Sequence, residues 1–352
     1  MWKSNKVYLE DLQNIVADEN IPWHELDGKT VLVTGATGLI GSNIVNTLLF
    51  YGERTEMPPH VLGFVRNREK AERVFADQLA EHMDELSFIV GDICSPAEIS
   101  SQVDYIIHAA SDTASRSFVE RPVEIMRTAV NGTWNMLELA REKQVKSFVY
   151  LSSMEAYGSP TEERLLTEDA PAYFDSSAIR SCYPESKRLC ETSTTAYAAE
   201  YGVPAKSVRL AQTFGPGIAQ SDVRVFADFS RKALAGEDIV LATKGDSQRM
   251  YLYTADAVRA ILTVLLKGEN GKCYNAANPD TYCSVLEMAQ LVSRLFSEGR
   301  TKVVFSTDPH DAEKYPPGHK LKLDVSKLAS LGWSAYTALP DMYLRMIQGM
   351  EK

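Results

Sequence analysis

Short apolar runs rich in β-branched residues alternate with helix-like patterns through the first half of the chain. Strands are predicted at Val31–Val33, Val61–Val65, Ser87–Val90, Tyr105–His108 and Ser147–Leu151, with helices starting near Leu39, Glu69 and Val123. Such alternation predicts a parallel, doubly wound α/β sheet of Rossmann type, because each strand needs a crossover helix to return the chain in the same direction. A further strand is predicted at Ala205–Leu210. Beyond it the texture changes, with turns at Gly215-Pro216-Gly217, Gly236-Glu237-Asp238 and Gly245-Asp246. The pattern divides the chain into an N-terminal extension (1–28), a Rossmann domain (29–213) and a smaller mixed C-terminal substrate-binding domain (214–352), with 251–263 returning to the first domain. Residues 159–182 hold Pro160, Pro171 and several acidic side chains between two strong elements. That loop is long enough to serve either function or a plain surface insertion.

Composition narrows the partners. The 352 residues are 45% hydrophobic and 24% charged, ordinary for a globular protein able to build a sizeable core. A net charge of −10 with no basic run argues against nucleic acid or an anionic membrane surface as partner. The five cysteines are scattered without a Cys-x-x-Cys pair, so neither a disulfide framework nor a metal site is expected and a reducing cytoplasm fits best. The first 27 residues are polar and acidic, with no apolar core of an export signal, and no stretch is long enough to span a bilayer.

Two motifs carry chemistry. Thr34 leads into Gly35-Ala36-Thr37-Gly38-Leu39-Ile40-Gly41, three glycines spaced three apart between a strand and a helix. The first glycine permits a sharp turn, the second lets backbone approach a pyrophosphate, and the third lets the helix pack closely on the sheet. Backbone N–H groups at the helix start then face an anion. The second motif, Tyr183-Pro184-Glu185-Ser186-Lys187, sets a phenol and an ammonium four residues apart on one helical face. A neighbouring cation favours the phenolate, so the pair can trade a proton with an alcohol. Alone, the spacing is equally that of a surface pair.

Its context is Tyr150-Leu151-Ser152-Ser153-Met154-Glu155-Ala156-Tyr157-Gly158, which places hydroxyls at the carboxyl end of a sheet strand, where doubly wound folds bind ligands. Here the chain resembles the extended short-chain dehydrogenase/reductase (epimerase/dehydratase) family, nucleotide-sugar-modifying type, from about Lys29 to near its end. The likeness includes Gly91-Asp92-Ile93, His108-Ala109-Ala110, Asn131-Gly132-Thr133, the Ser153/Tyr183/Lys187 set, Arg209 through Gly215-Pro216, Arg249 in Arg-Met-Tyr-Leu-Tyr-Thr-Ala-Asp, and Leu323-Asp324-Val325-Ser326-Lys327 with Leu331-Gly332-Trp333.

The resemblance implies roles. Gly35, Thr37, Gly38, Leu39, Ile40 and Gly41 would cradle the dinucleotide's phosphates. Asp92 and Ile93 would flank its adenine, Ala109 and Ala110 would line its middle, and Asn131 and Ser152 would also contact it. Ser153 would hydrogen-bond the reacting oxygen, Tyr183 would be the acid/base, and Lys187 would hold the nicotinamide ribose and lower the phenol's pKa. Arg249 would meet the diphosphate of a nucleotide-diphosphate sugar, with Ser111, Gln212 and Val240 nearby. The same resemblance implies a homodimer through the helices around Val123–Lys143 and Tyr183–Tyr201. His108 is read as a packed strand residue.

Three departures from the family pattern matter. The strand ending at Val65 is followed by Arg66-Asn67-Arg68 where an acidic residue would bind a ribose hydroxyl, and guanidinium groups there suit a 2′-phosphate, favouring NADP(H) over NAD(H). Met154 replaces an aspartate that dehydratases carry, and a thioether cannot donate a proton. Gln212 stands where relatives carry asparagine. Glu155 remains, as a base, as an orienting group for the sugar, or as a supporting hydrogen-bond partner. The residues therefore fit a redox-neutral epimerase or decarboxylase, the reading Glu155 favours. They also fit an NADPH-dependent reductase of a nucleotide-activated keto-sugar or ketose, which Arg66 favours. A non-catalytic dinucleotide sensor is the third reading.

Overall fold

The computed structural model describes residues 2–96, 99–298, 300–308 and 318–350. In chain order its helices are α1 (Lys6–Val16), α2 (Leu39–Gly52), α3 (Arg68–Val74), α4 (Ala76–Glu81), α5 (Ser115–Glu120), α6 (Pro122–Lys143), α7 (Cys182–Tyr201), α8 (Val225–Ala235), α9 (Thr254–Lys267), α10 (Val285–Ser297), α11 (Ser326–Ala329) and α12 (Leu339–Gln348). Its strands are β1 (Thr30–Thr34), β2 (His60–Val65), β3 (Leu86–Val90), β4 (Tyr105–His108), β5 (Ser147–Ser153), β6 (Leu165–Leu166), β7 (Ala205–Leu210), β8 (Gln212–Phe214), β9 (Ile239–Leu241), β10 (Gln248–Tyr253), β11 (Cys273–Ala276), β12 (Asn278–Ser284), β13 (Val303–Phe305) and β14 (Lys320–Leu323).

Seven parallel strands form the main sheet in the order β11-β7-β5-β4-β1-β2-β3. Strand order reverses between β1 and β4, which opens a crevice at their carboxyl ends. Alternate residues of each strand feed opposite cores: Val31, Val33, Tyr105, Ile107 and Val149 pack toward α2 and α9, whereas Leu32, Ile106, Phe148 and Tyr150 pack toward α6 and α7. Near-continuous apolar strands follow from burial on both faces. The second sheet runs β12-β10-β14-β6 with β8 beside β10, and β9 and β13 form a separate two-stranded ribbon. Helix α9 and strand β11 return to the main sheet, so the return spans 254–276, starting later and running longer than the expected 251–263.

The N-terminal residues, read from sequence as a polar extension, fold onto the core. Tyr8, Leu12 and Ile15 of α1 are buried in the core they share with α2 and α9. Their spacing of four and then three residues was masked by Glu10 and Asp11 between them. Asp11 and, just past the helix, Asp18 are themselves buried and paired. Asp11 accepts from Tyr253 Oη (2.6 Å) and from Arg345 Nη2 (2.7 Å), and burial still pushes its carboxyl up to about 6. Asp18 accepts from Arg259 Nε at 2.7 Å, with both side chains almost fully enclosed. The loop 159–182 is likewise partly tied down: β6 pairs with β14, and Gly158 bridges to Tyr173. No helix among the described residues is long and apolar enough to cross a membrane.

Removing one partner of a buried ion pair leaves an uncompensated charge. Asp18→Ala is therefore expected to lower unfolding stability by about 3 kcal/mol in a urea titration; a change near zero would show that the segment after α1 is not clamped through Arg259.

Candidate active site

The glycine turn sits where β1 meets α2. Gly35 has φ of 66°, and a Cβ there would lie 2.8 Å from the Ala109 carbonyl oxygen, so this loop touches the end of β4 across the crevice. At Gly41 a Cβ would lie 2.2 Å from the Gly35 carbonyl oxygen, which excludes any larger residue. Gly38 caps α2, is exposed, and brings no side chain over the helix end. The N–H groups of Leu39 and Ile40 open the helix and lack intrahelical acceptors, while Thr37 lies half-buried in the turn. This arrangement fits the pyrophosphate of a dinucleotide. At the end of β2, Arg66 is exposed and has no ion-pair partner among the described residues. Asn67 caps α3 by accepting from Lys70 N at 2.7 Å, and Arg68 faces Glu72 at 3.7 Å.

The remaining expected contacts are dispersed. Asp92 accepts from Cys94 N, and buried Ile93 packs on Gly132 of α6. Ala110 N donates to Thr34 Oγ1 at 3.0 Å, which holds the β4 end against β1. Ser111 is half-buried and Asn131 is exposed on α6. Burial and the nearby Lys187 push the imidazole of His108 down to about 3; its nitrogens bond Thr34 and Thr133, consistent with a packed strand residue.

Helix α7 places Tyr183, Lys187 and Glu191 at four-residue intervals on one buried face. Glu191 is the anchor. Its carboxylate accepts from Arg209 Nε (2.8 Å) and Nη2 (2.7 Å) and from Ser152 Oγ (2.5 Å). Ser152 and Arg209 are cross-strand neighbours on β5 and β7. The Ser152 hydroxyl thus takes part in this clamp. One turn nearer the site, Lys187 Nζ donates to the Leu151 carbonyl at 2.7 Å and lies 4.8 Å from the Tyr150 ring. Burial pulls its pKa down to about 8, against opposing pulls from Cys190, Glu191 and Glu155.

Tyr183 is buried, its ring stacked on Phe118 of α5 at 4.2 Å and 14°. Lys187 Nζ is 5.6 Å from that ring. The expected lowering of the phenol's pKa is absent: burial raises it well above the ordinary value, Glu155 raises it further, and Ser153, Arg180 and Arg224 oppose the rise. The desolvation of a phenolate outweighs these neighbours here. Ser153 caps the 3-10 turn after β5 by accepting from Glu155 N. Glu155 accepts from Arg180 Nη1 at 2.9 Å. Sequence reasoning missed Phe118, Arg180, Arg224 and the Glu191–Arg209 clamp. Only Glu191 left a trace, as an acid on the same helical face as Tyr183 and Lys187.

In the second sheet β8 and β10 bring Gln212 and Arg249 together, with Nη1 donating to Oε1 at 3.5 Å. Arg249 Nε is buried without a partner among the described residues. Val240 is exposed on the β9–β13 ribbon, apart from that sheet. Among the described residues one cluster, Glu53, Glu81 and His82, has metal-ligand spacing, and Lys3 bridges both of its carboxylates.

Comparison with known proteins adds to this geometry. Residues 31–277 match the model of the NAD dependent epimerase/dehydratase family. The chain is 29% identical to UDP-glucuronic acid decarboxylase 1 of Xenopus tropicalis over 317 residues, 90% of this chain and 71% of that one. It is 30% identical to UDP-glucuronic acid decarboxylase 4 of Arabidopsis thaliana over 312 residues, 88% and 66% of the two chains. Among solved structures it is similar in fold to UDP-glucose 4-epimerase from Thermotoga maritima (TM-score 0.76, 23% identity, 91% of this chain and 98% of that one). It is also similar to the dTDP-glucose 4,6-dehydratase DesIV from Streptomyces venezuelae (0.75, 24%, 91% and 96%).

Because the pKa of Lys187 falls from 10.5 to about 8 on folding, the unfolded chain binds that proton more tightly between those values, and stability rises with pH across that window. The buried charge costs stability at neutral pH. Lys187→Met is expected to raise unfolding stability of the ligand-free protein at neutral pH by about 1 kcal/mol, with the gain shrinking above the lower pKa. Urea titrations at neutral and alkaline pH check this, and a destabilised variant at neutral pH would contradict it.

Proposed function

The chain belongs to the NAD dependent epimerase/dehydratase family, enzymes of the short-chain dehydrogenase/reductase superfamily, and we propose that it uses a nicotinamide dinucleotide to rework the sugar of a nucleoside-diphosphate sugar without net redox change. One observation carries this reading: α7 and the turn after β5 bring Tyr183, Lys187, Ser153 and Glu155 to the carboxyl end of β5, beside the glycine turn's crevice. When bound, the dinucleotide supplies a reversible hydride acceptor. The chain's residues do the rest. Ser153 orients the sugar hydroxyl, and Tyr183 takes up its proton and later returns it. Lys187 sets the field at the phenol and holds the ribose, its position fixed by Leu151. Bound cofactor and substrate bring the charge and hydrogen bonds that lower a phenol pKa raised by burial.

The likeness to UDP-glucuronic acid decarboxylases makes a uronic acid the first substrate to test. In such a sugar only a ketone at C4 is β to the carboxyl carbon, so oxidation there permits loss of CO2 before the electrons return. Met154 cannot donate a proton, which argues against 4,6-dehydration. Arg249, with Gln212 against it and a buried Nε still to be satisfied, suits the diphosphate. A second reading, an NADPH-dependent reductase of a nucleotide-activated keto-sugar or ketose, is favoured by Arg66 at the end of β2, which has no ion-pair partner among the described residues. The same residue makes NADP(H) the favoured dinucleotide. The five free thiols suit a reducing cytoplasm. Exposed Val123, Met126 and Trp134 on α6 and Leu189 and Tyr201 on α7 suit burial in a homodimer.

Incubated with UDP-glucuronic acid and the dinucleotide released from the purified protein, the enzyme should yield CO2 and a UDP-pentose with no net change in reduced-nicotinamide absorbance. Stoichiometric NADPH consumption on a keto-sugar would replace this reading with the second. Tyr183→Phe should cut kcat by about 10²–10⁴ while dinucleotide binding persists; unaltered turnover would remove the phenol from the mechanism. Arg66→Ala should weaken NADP+ binding about tenfold and leave NAD+ unchanged, and equal effects on both would remove the 2′-phosphate assignment. Sedimentation of Met126→Glu/Leu189→Glu should show a monomer, and a persistent dimer would place the interface elsewhere.

A further inference from the structure

Glu155 and Tyr183 pose an electrostatic problem. The charged and titratable groups facing the phenol are Glu155 from the turn after β5, Arg180 from the segment before α7, Lys187 one turn along α7, Arg224 from the segment before α8 and Tyr150 from β5. Arg224 is already balanced by Asp222, which accepts from its Nε and Nη2. Lys187 is spoken for by the Leu151 carbonyl. Glu155 is the carboxylate of the group, and an unbalanced carboxylate there opposes the phenolate and competes with Ser153 for the phenol's proton.

Arg180 meets both demands. Its Nη1 donates to Glu155 Oε2 at 2.9 Å, and its guanidinium lies 5.5 Å from the Phe118 ring, which is itself stacked on Tyr183. Phe118 is 1% exposed, whereas the Arg180 side chain is 42% exposed and the Glu155 side chain 30%. The arginine therefore rests on a rigid apolar floor and reaches over it to the carboxylate. A cation can keep its contact with a ring face while it donates to a carboxylate.

We propose that Arg180 is a positioning residue of this site: seated on Phe118, its guanidinium pins the Glu155 carboxylate and balances its charge, leaving the phenol of Tyr183 directed to Ser153 and the substrate. The proposal rests on the reading of Tyr183 as the acid–base group. Without Arg180, Glu155 turns toward the phenol and holds it protonated. With lysine in its place the charge survives.

The test is the ultraviolet tyrosinate titration of the NADP+-saturated protein, with Tyr183→Phe subtracted to isolate one phenol. Arg180→Met should move the Tyr183 midpoint up by about one pH unit, about tenfold less phenolate at a given pH. Arg180→Lys should stay near wild type, and Glu155→Gln added to Arg180→Met should restore the midpoint. With UDP-glucuronic acid as probe, the kcat limb should follow the same order. An unmoved midpoint in Arg180→Met, no restoration by Glu155→Gln, or a wild-type phenol that stays protonated to the alkaline limit of folding would each overturn the proposal. Retained turnover in Tyr183→Phe would instead overturn the catalytic reading, while the titration would still decide the role of Arg180.

Discussion

The site depends on one buried ion pair. Glu191 on α7 is gripped by two nitrogens of Arg209 on β7 and by the Ser152 hydroxyl on β5, so the helix is fixed in height and rotation against two adjacent strands. Two charges taken out of water repay their desolvation only with such complete geometry, and here Arg209 also donates to the Glu168 carbonyl and lies over Tyr157. With Glu191 fixed, Lys187 and Tyr183 follow at four-residue steps on the same face. The ammonium donates to the Leu151 carbonyl of β5, and the phenol comes beside Ser153. A helix free to slide by even an ångström would lose both contacts.

Burial is the second theme, and it cuts against stability. A buried lysine whose pKa falls to about 8 is a group a protein selected for stability alone would not enclose. Its cost is the ordinary one of a functional site built before its ligands arrive. At the other end of the molecule buried charges are paired, with α1 and α12 joined through Asp11 and Arg345, and the segment after α1 joined to α9 through Asp18 and Arg259.

Much of the main sheet was legible because its signals are local: β-branched runs, the glycine spacing, and the Tyr183–Lys187 interval are each written within a few residues. Most strands lie within a residue or two of their expected bounds. What escaped depends on contacts distant in sequence. The helical pattern of Tyr8, Leu12 and Ile15 was hidden by Glu10 and Asp11, whose cationic partner Arg345 is more than three hundred residues away. Ser152 reads as a ligand contact from its neighbours and as a clamp once Arg209 is seen beside it. Phe118 and Arg180 belong to segments without periodicity, and no spacing rule joins them to Tyr183. The direction of the phenol's pKa was missed for a related reason: the Tyr–Lys motif states the charges present and leaves out how deeply the fold encloses them.

The central claim is that Tyr183 and its neighbours let the sugar lend a hydride and take it back. The most direct measurement is turnover of UDP-glucuronic acid carrying deuterium at C4, followed by mass analysis of the product nucleotide sugar. The account predicts a primary isotope effect with the deuterium retained in the product. Loss of the label, or turnover that consumes a reduced dinucleotide molecule for each product, would contradict it.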